Sequence, residues 1–175
     1  MARPRFSVFI ATSLDGYIAA RDGSLAFLDA VQRPGEDYGF ARFFASVDTL
    51  VMGRRTYDTA LGFDAWPYAG KRCIVLTHAA PPSRHGEEFT EGDPATLATR
   101  LGAEGARHVY VDGGAVISAF LAARLIDDLT ISVIPVLLGD GVPLFARGGP
   151  EQRLVLTSSR GYESGLVQLQ YALKR

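Results

Sequence analysis

"LVMGRRTYDT", residues 50–59, joins an apolar run to a helix-like segment across two arginines, Arg54 and Arg55. Leu50, Val51 and Met52 read as the end of a buried strand, and the change of pattern after Gly53 reads as a helix start. A helix N-terminus carries unsatisfied N–H groups and a partial positive charge, so two cations there add like charge to like. A bound anion resolves that conflict. A guanidinium grips a phosphate through two parallel hydrogen bonds, the Thr56 hydroxyl can add another, and the free N–H groups of the first turn complete the site. A pair of arginines on a solvated face is the alternative, and spacing alone leaves it open.

The same alternation extends outward in both directions. Residues 5–12, 49–53, 72–77, 107–112 and 129–138 are short, apolar on successive positions and rich in β-branched side chains, which suits strands covered on both faces. Helical patterns lie between them. Phe40, Phe43, Phe44 and Val47 recur at helical spacing in "DYGFARFFASV", as do Val116, Ile117, Phe120, Leu121 and Leu125 in "GAVISAFLAARL", and Pro94 opens "PATLATRLGAEG". The last third differs, with two strand-like runs around "GYESG" and strict alternation at Val167, Leu169, Tyr171 and Leu173. The expected fold is α/β, with helices on a mostly parallel central sheet that ends in an antiparallel hairpin. The loops marked by Pro81, Pro82 and Gly86, by "PGED" and by "ARGGPEQ" are too short for linkers, so 1–175 reads as one domain.

Composition limits the partners. The chain has 18 Lys and Arg against 19 Asp and Glu, a net charge of -1, which gives no general attraction to nucleic acid or to an anionic membrane. No stretch has the length of a membrane span, and the apolar start is broken by Thr12, Ser13, Asp15 and Gly16, so it reads as a strand rather than a signal peptide. Cys73 is the single cysteine and sits in an apolar run, which points to a buried thiol and a reducing, cytoplasmic setting. His78, His85 and His108 lack metal-ligand spacing and read as surface residues, so no metal is expected. Trp66 reads as a packing anchor.

In an open α/β sheet the ligand gathers at the carboxyl ends of the strands. Gly113 and Gly114 stand there, after "HVYV" and before a helix; they suit either a turn or a backbone cradle for a pyrophosphate. Asp37 precedes Phe40 and Phe44 at helical spacing, which projects it from the apolar stripe and calls for a partner; the other reading is a helix cap. Asp15-Gly16 and Asp22-Gly23 are turn dipeptides.

The order of these pieces resembles the dihydrofolate reductase superfamily, in the branch holding the reductase domain of bacterial riboflavin biosynthesis and its stand-alone relatives. The resemblance rests on "SLDGYIA" (13–19), "DTLVMGRRTY" (48–57), "IVLT" (74–77), "VYVDGG" (109–114) and "PVLLGDGVPLF" (135–145), and so covers nearly the whole chain. It implies a three-layer dihydrofolate-reductase-like fold and an NADPH cofactor. Gly53, Arg54, Arg55 and Thr56 then stand at the phosphates, Thr77 and His78 near the adenosine 2′-phosphate, and Gly113, Gly114 and Ala115 at the pyrophosphate. Ala11, Ile18 and Ala19 border the nicotinamide, covered by the 13–24 loop. In the family an acidic residue 15 positions before the Met of the "MGR" motif holds the heterocycle, and Asp37 stands 15 before Met52. The implied activity is hydride transfer to a 5-amino-6-(5-phosphoribosylamino)uracil-type or pteridine-type substrate, in a chain that dimerises with a second copy. A non-catalytic NADPH-binding protein is the competing class.

Two departures stand out. "LAFL" carries Ala26 and Phe27 where relatives of the stand-alone type often place an acidic residue and Trp. Asp112 sets a negative charge beside the pyrophosphate cradle, which is unfavourable unless it faces a ribose hydroxyl or a backbone donor.

Overall fold

Runs of β-branched and large apolar residues form the strands of this chain, because a central ladder buries them on both faces. The computed structural model describes residues 3–174, so Met1, Ala2 and Arg175 of the expected domain lie outside the described residues. The first half contains β1 (Arg5–Ser13), β2 (Tyr17–Ala19), a 3-10 segment (Ala26–Val31), α1 (Phe40–Ser46), β3 (Thr49–Gly53) and α2 (Arg54–Leu61). Next come β4 (Arg72–Leu76), β5 (Glu88–Thr90), α3 (Pro94–Ala103), β6 (His108–Asp112) and α4 (Gly114–Ala122). The chain closes with β7 (Asp128–Ile134), β8 (Val142–Pro143), β9 (Leu154–Gly161) and β10 (Val167–Leu173).

Eight strands form one sheet in the order β5-β4-β3-β6-β1-β7-β10-β9. The pairs from β5 through β7 are parallel, and β10 runs antiparallel to both β7 and β9. Alternate residues face opposite layers. Val51, Ile74, Val109 and Val111 pack with Leu97 and Leu101 of α3 and Val116, Ile117 and Phe120 of α4. Leu50, Met52, Val75 and Tyr110 pack with Phe40, Phe43 and Phe44 of α1 and Tyr57 and Ala60 of α2. A third cluster joins Phe27 and Val31 of the 3-10 segment to Ile134 and Leu166, so the departure at Phe27 is a core contact. Each fully buried side chain such as Phe120 contributes roughly 1.5–3 kcal/mol.

Local chemistry explains where elements begin and end. Asp93 caps α3 by accepting the Ala95 and Thr96 N–H groups at 2.9 and 3.0 Å, and Pro94 follows in the first turn. The strand expected over 129–138 stops at Ile134, because Pro135 has no N–H for the ladder. The helix expected from Asp37 starts at Phe40, since Tyr38 and Gly39 take left-handed backbone angles, φ 55° and 86°. Cys73 is buried, and burial pushes its thiol up to about 12. Trp66 meets Tyr57 and Tyr68 edge-on and stacks on His85 at 4.6 Å, the packing role its sequence context implied. His108 departs from the surface expectation: it is half-buried, with Nε2 2.8 Å from the Ser7 hydroxyl and Nδ1 3.1 Å from the Ser46 carbonyl. No helix among the described residues is long and apolar enough to cross a membrane.

Candidate functional site

The carboxyl ends of β1, β3 and β6 open into a cleft of about 1060 Å³. Eleven residues singled out in the sequence meet there: Ala11, Ile18, Ala19, Asp37, Gly53, Arg54, Arg55, Thr56, Gly113, Gly114 and Ala115. Thr77 and His78 do not line it. The Thr77 hydroxyl closes a turn with Ala79, and His78 is exposed and faces Glu91 at 3.4 Å. The same turn still touches the cleft, because the Arg54 guanidinium donates to the Ala79 carbonyl at 3.0 Å.

One wall is built from two helix starts. α2 and α4 begin directly after strands β3 and β6, and neither start has a side-chain cap. Their first-turn N–H groups therefore keep their appetite for an anion. Glycine is what lets the two starts converge: a Cβ on Gly113, whose φ is 92°, falls 2.5 Å from the Thr56 hydroxyl oxygen. On Gly114 it falls 2.6 Å from the Pro143 carbonyl oxygen. Arg54 pairs with Asp58 at 2.8 Å, while the Arg55 guanidinium has no hydrogen bond or ion pair among the described residues.

A second stretch of the lining, the aromatic wall, carries rings and carboxylates. Phe9, Tyr38, Phe40, Tyr68 and Tyr110 line it, with Phe9 and Phe40 edge to face at 5.5 Å and the Tyr110 hydroxyl donating to the Phe9 carbonyl at 2.9 Å. Sequence reading missed these rings as site residues. Alternation could have found two of them, since Tyr110 shares its sheet face with Asp112 and Phe9 with Ala11.

Two carboxylates on this wall sit in opposite environments. Asp37 is exposed, lies before α1 rather than on its apolar stripe, and accepts the Gly39 and Ala41 N–H groups at 2.9 Å each. Those bonds, Ala41 first, hold its carboxyl below the usual range, so it stays ionised. Asp112 is enclosed at the base of the cleft, and burial pushes its carboxyl up. The Gly113 N–H at 2.9 Å and the Tyr68 hydroxyl at 3.3 Å offset part of that cost. A backbone donor thus accounts for an acid beside the cradle.

A flap covers the mouth near Ile18. β2 pairs with β8, and the Asp15 carboxylate accepts from the Ser13 hydroxyl at 2.6 Å and from the Leu138 and Gly139 N–H groups at 3.1 and 2.7 Å. Arg21 and Asp140 form an ion pair across its outer edge. Gly141 presses on the Ala19 carbonyl so closely that no side chain fits. The "GDG" turn therefore belongs to the rim. Among the described residues, no three His, Cys, Asp or Glu side chains group as a metal site.

Comparison with known proteins gives the family and the fold. A family model described as the RibD C-terminal domain matches residues 4–168. YwjB of Bacillus subtilis strain 168, an uncharacterised protein, is 38% identical over 169 residues, covering 94% of this chain and 95% of its own. A protein of Shewanella sp. PV-4 provisionally assigned to riboflavin biosynthesis superposes with a TM-score of 0.91 at 39% identity, over 98% and 99% of the two chains. RibD of Acinetobacter baumannii shares the fold at 20% identity and a TM-score of 0.72, over 98% of this chain and 58% of that one.

Proposed function

The chain belongs to the RibD C-terminal domain family, and from that premise we propose that it is an NADPH-dependent reductase acting on a C=N or C=O carbon of a small nitrogen heterocycle. The observation that carries this reading is the pairing, in one cleft, of an anion-seeking wall with an aromatic wall bearing two differently tuned carboxylates. The glycine cradle and the donor set fit the cofactor. Gly113, Gly114 and Ala115 would hold the pyrophosphate against the α4 start, and Arg55, Thr56 and Arg54 would take the 2′-phosphate and its neighbours. NADPH, when bound, supplies the hydride.

The remaining work falls to the chain. Ala11, Ile18 and Ala19 would border the nicotinamide, and the β2–β8 pair beside them would help to exclude water. Asp37, kept ionised, accepts N–H groups of the heterocycle and fixes its orientation. Asp112, whose burial pushes its carboxyl up, stands beside the Tyr68 hydroxyl and would relay a proton to the heteroatom of the reduced bond. Carboxyls whose environments push them apart suit this division of labour.

One observation favours the competing reading, a nucleotide binder without chemistry: both Asp37 oxygens already serve backbone N–H groups. Steady-state NADPH consumption with aminouracil or dihydropterin substrates separates the two. Asp37→Asn should lower kcat/KM about 10- to 100-fold, the worth of one charged hydrogen bond, while NADPH affinity stays near that of the parent. Unchanged turnover in that variant would remove Asp37 from the reaction.

We also propose that the chain pairs with a second copy along β9. That edge strand is exposed along its full length and presents Leu154, Val155 and Leu156 in succession, a surface prone to strand addition. Sedimentation should show a dimer that Val155→Lys weakens; a parent that sediments as a monomer rejects the pairing.

A further inference from the structure

One row across the sheet brings polar side chains to the cleft. Ala11 of β1 pairs with Ser132 of β7, and Ser132 pairs with Gln168 of β10. Residues in register on neighbouring strands project to the same face, so these three side chains stand side by side. Ala11 and Ser132 line the cleft, as does Tyr38, whose carbonyl accepts from Gln168 Nε2 at 2.9 Å. The same nitrogen donates to the Ser132 hydroxyl oxygen at 3.1 Å. A carbonyl can only accept, so the atom that Tyr38 and Ser132 share is the amide nitrogen, and Ser132 is the acceptor in its bond. The Ser132 proton is left for another partner, and among the described residues it donates to none. Ser132 is 4% exposed, and an unmet donor at that depth is costly.

From this geometry we infer that Ser132 is a substrate-binding residue, whose hydroxyl donates to a ring carbonyl oxygen of the heterocycle beside Ala11. The inference rests on the reductase reading above and names an atom that its substrate carries. A carbonyl oxygen projects beyond the ring edge and so reaches a short side chain rooted in the sheet; a ring nitrogen would have to bring the ring itself into the strand. An amino group at the same place would leave the Ser132 proton unmet.

The test is a fluorescence titration of the protein saturated with NADP+, using pterin and diaminopteridine, the second of which carries an amino group in place of the pterin ring carbonyl. Ser132→Ala should weaken pterin binding about 5- to 10-fold and leave diaminopteridine within about twofold of the parent. Ser132→Thr, which restores a hydroxyl, should recover pterin binding. Unchanged pterin binding in Ser132→Ala, or equal losses for the two compounds, overturns the inference and leaves the reductase reading standing. Failure of both compounds to bind the parent while NADP+ binds overturns the heterocycle reading and this inference together.

Discussion

The two walls of the cleft are made in different ways. The anion wall comes from two short stretches, 53–56 and 113–115, in which strand end, glycine and helix start follow one another along the chain. Backbone groups do most of its work, and side chains matter chiefly by being absent. The aromatic wall draws its residues from β1, the loop before α1, α1 itself, the segment after α2 and β6, and its properties depend on what surrounds each one. A wall built from backbone should fail when a side chain intrudes. A wall built from environments should fail when a charge is altered.

The largest effect is expected where the first wall is tightest. Gly114→Ala sets a Cβ 2.6 Å from the Pro143 carbonyl oxygen, an obstacle of backbone rather than of flexible side chain. It should cost about 1–3 kcal/mol of stability in a thermal or denaturant melt. NADPH affinity should fall on the order of 100-fold. If the variant binds NADPH as the parent does, the close approach of α4 to residues 143–144 is not what shapes the cradle.

A smaller and pH-dependent effect should mark the second wall. The folded chain holds the Asp112 carboxyl above its usual range, through burial first, so above the unfolded value of about 4 the native state binds more protons than the unfolded one. Stability is therefore lost as pH rises from there through the folded value. Asp112→Asn removes that loss and keeps an oxygen for the Gly113 N–H. Its melting temperature relative to the parent should rise between pH 4 and 7. A difference that stays flat across that range would mean that Asp112 is not desolvated in solution.

This contrast also explains how far the sequence could be read. β1, β3, β4, β6 and the final hairpin declared themselves by runs of apolar residues or by alternation, because burial on known faces dictates those patterns. The need for small residues at Gly113 and Gly114 was legible too, since they lie between a strand and a helix and the structure brings Thr56 and Pro143 close to them. What stayed hidden depends on the third dimension. Tyr68 sits 44 positions from the Asp112 it contacts, and nothing local to either residue announces the pair. Asp37 illustrates a subtler failure: its spacing to Phe40 fitted a helix face, but Gly39 in the left-handed region starts the helix later and leaves the carboxylate at the rim. β2 and β8 are too short for a periodic signal, and their pairing rests on the Asp15 clasp and the closeness of Gly141.

The most direct measurement is a calorimetric titration of the purified chain, and of its Arg54→Ala, Arg55→Ala double variant, with NADPH and with NADH. The account predicts saturable binding of both to the parent, a clear preference for NADPH, and a loss of about 10- to 100-fold in the variant that falls on NADPH and largely spares NADH. Absence of saturable NADPH binding at low salt, or a preference that survives removal of both arginines, would contradict it.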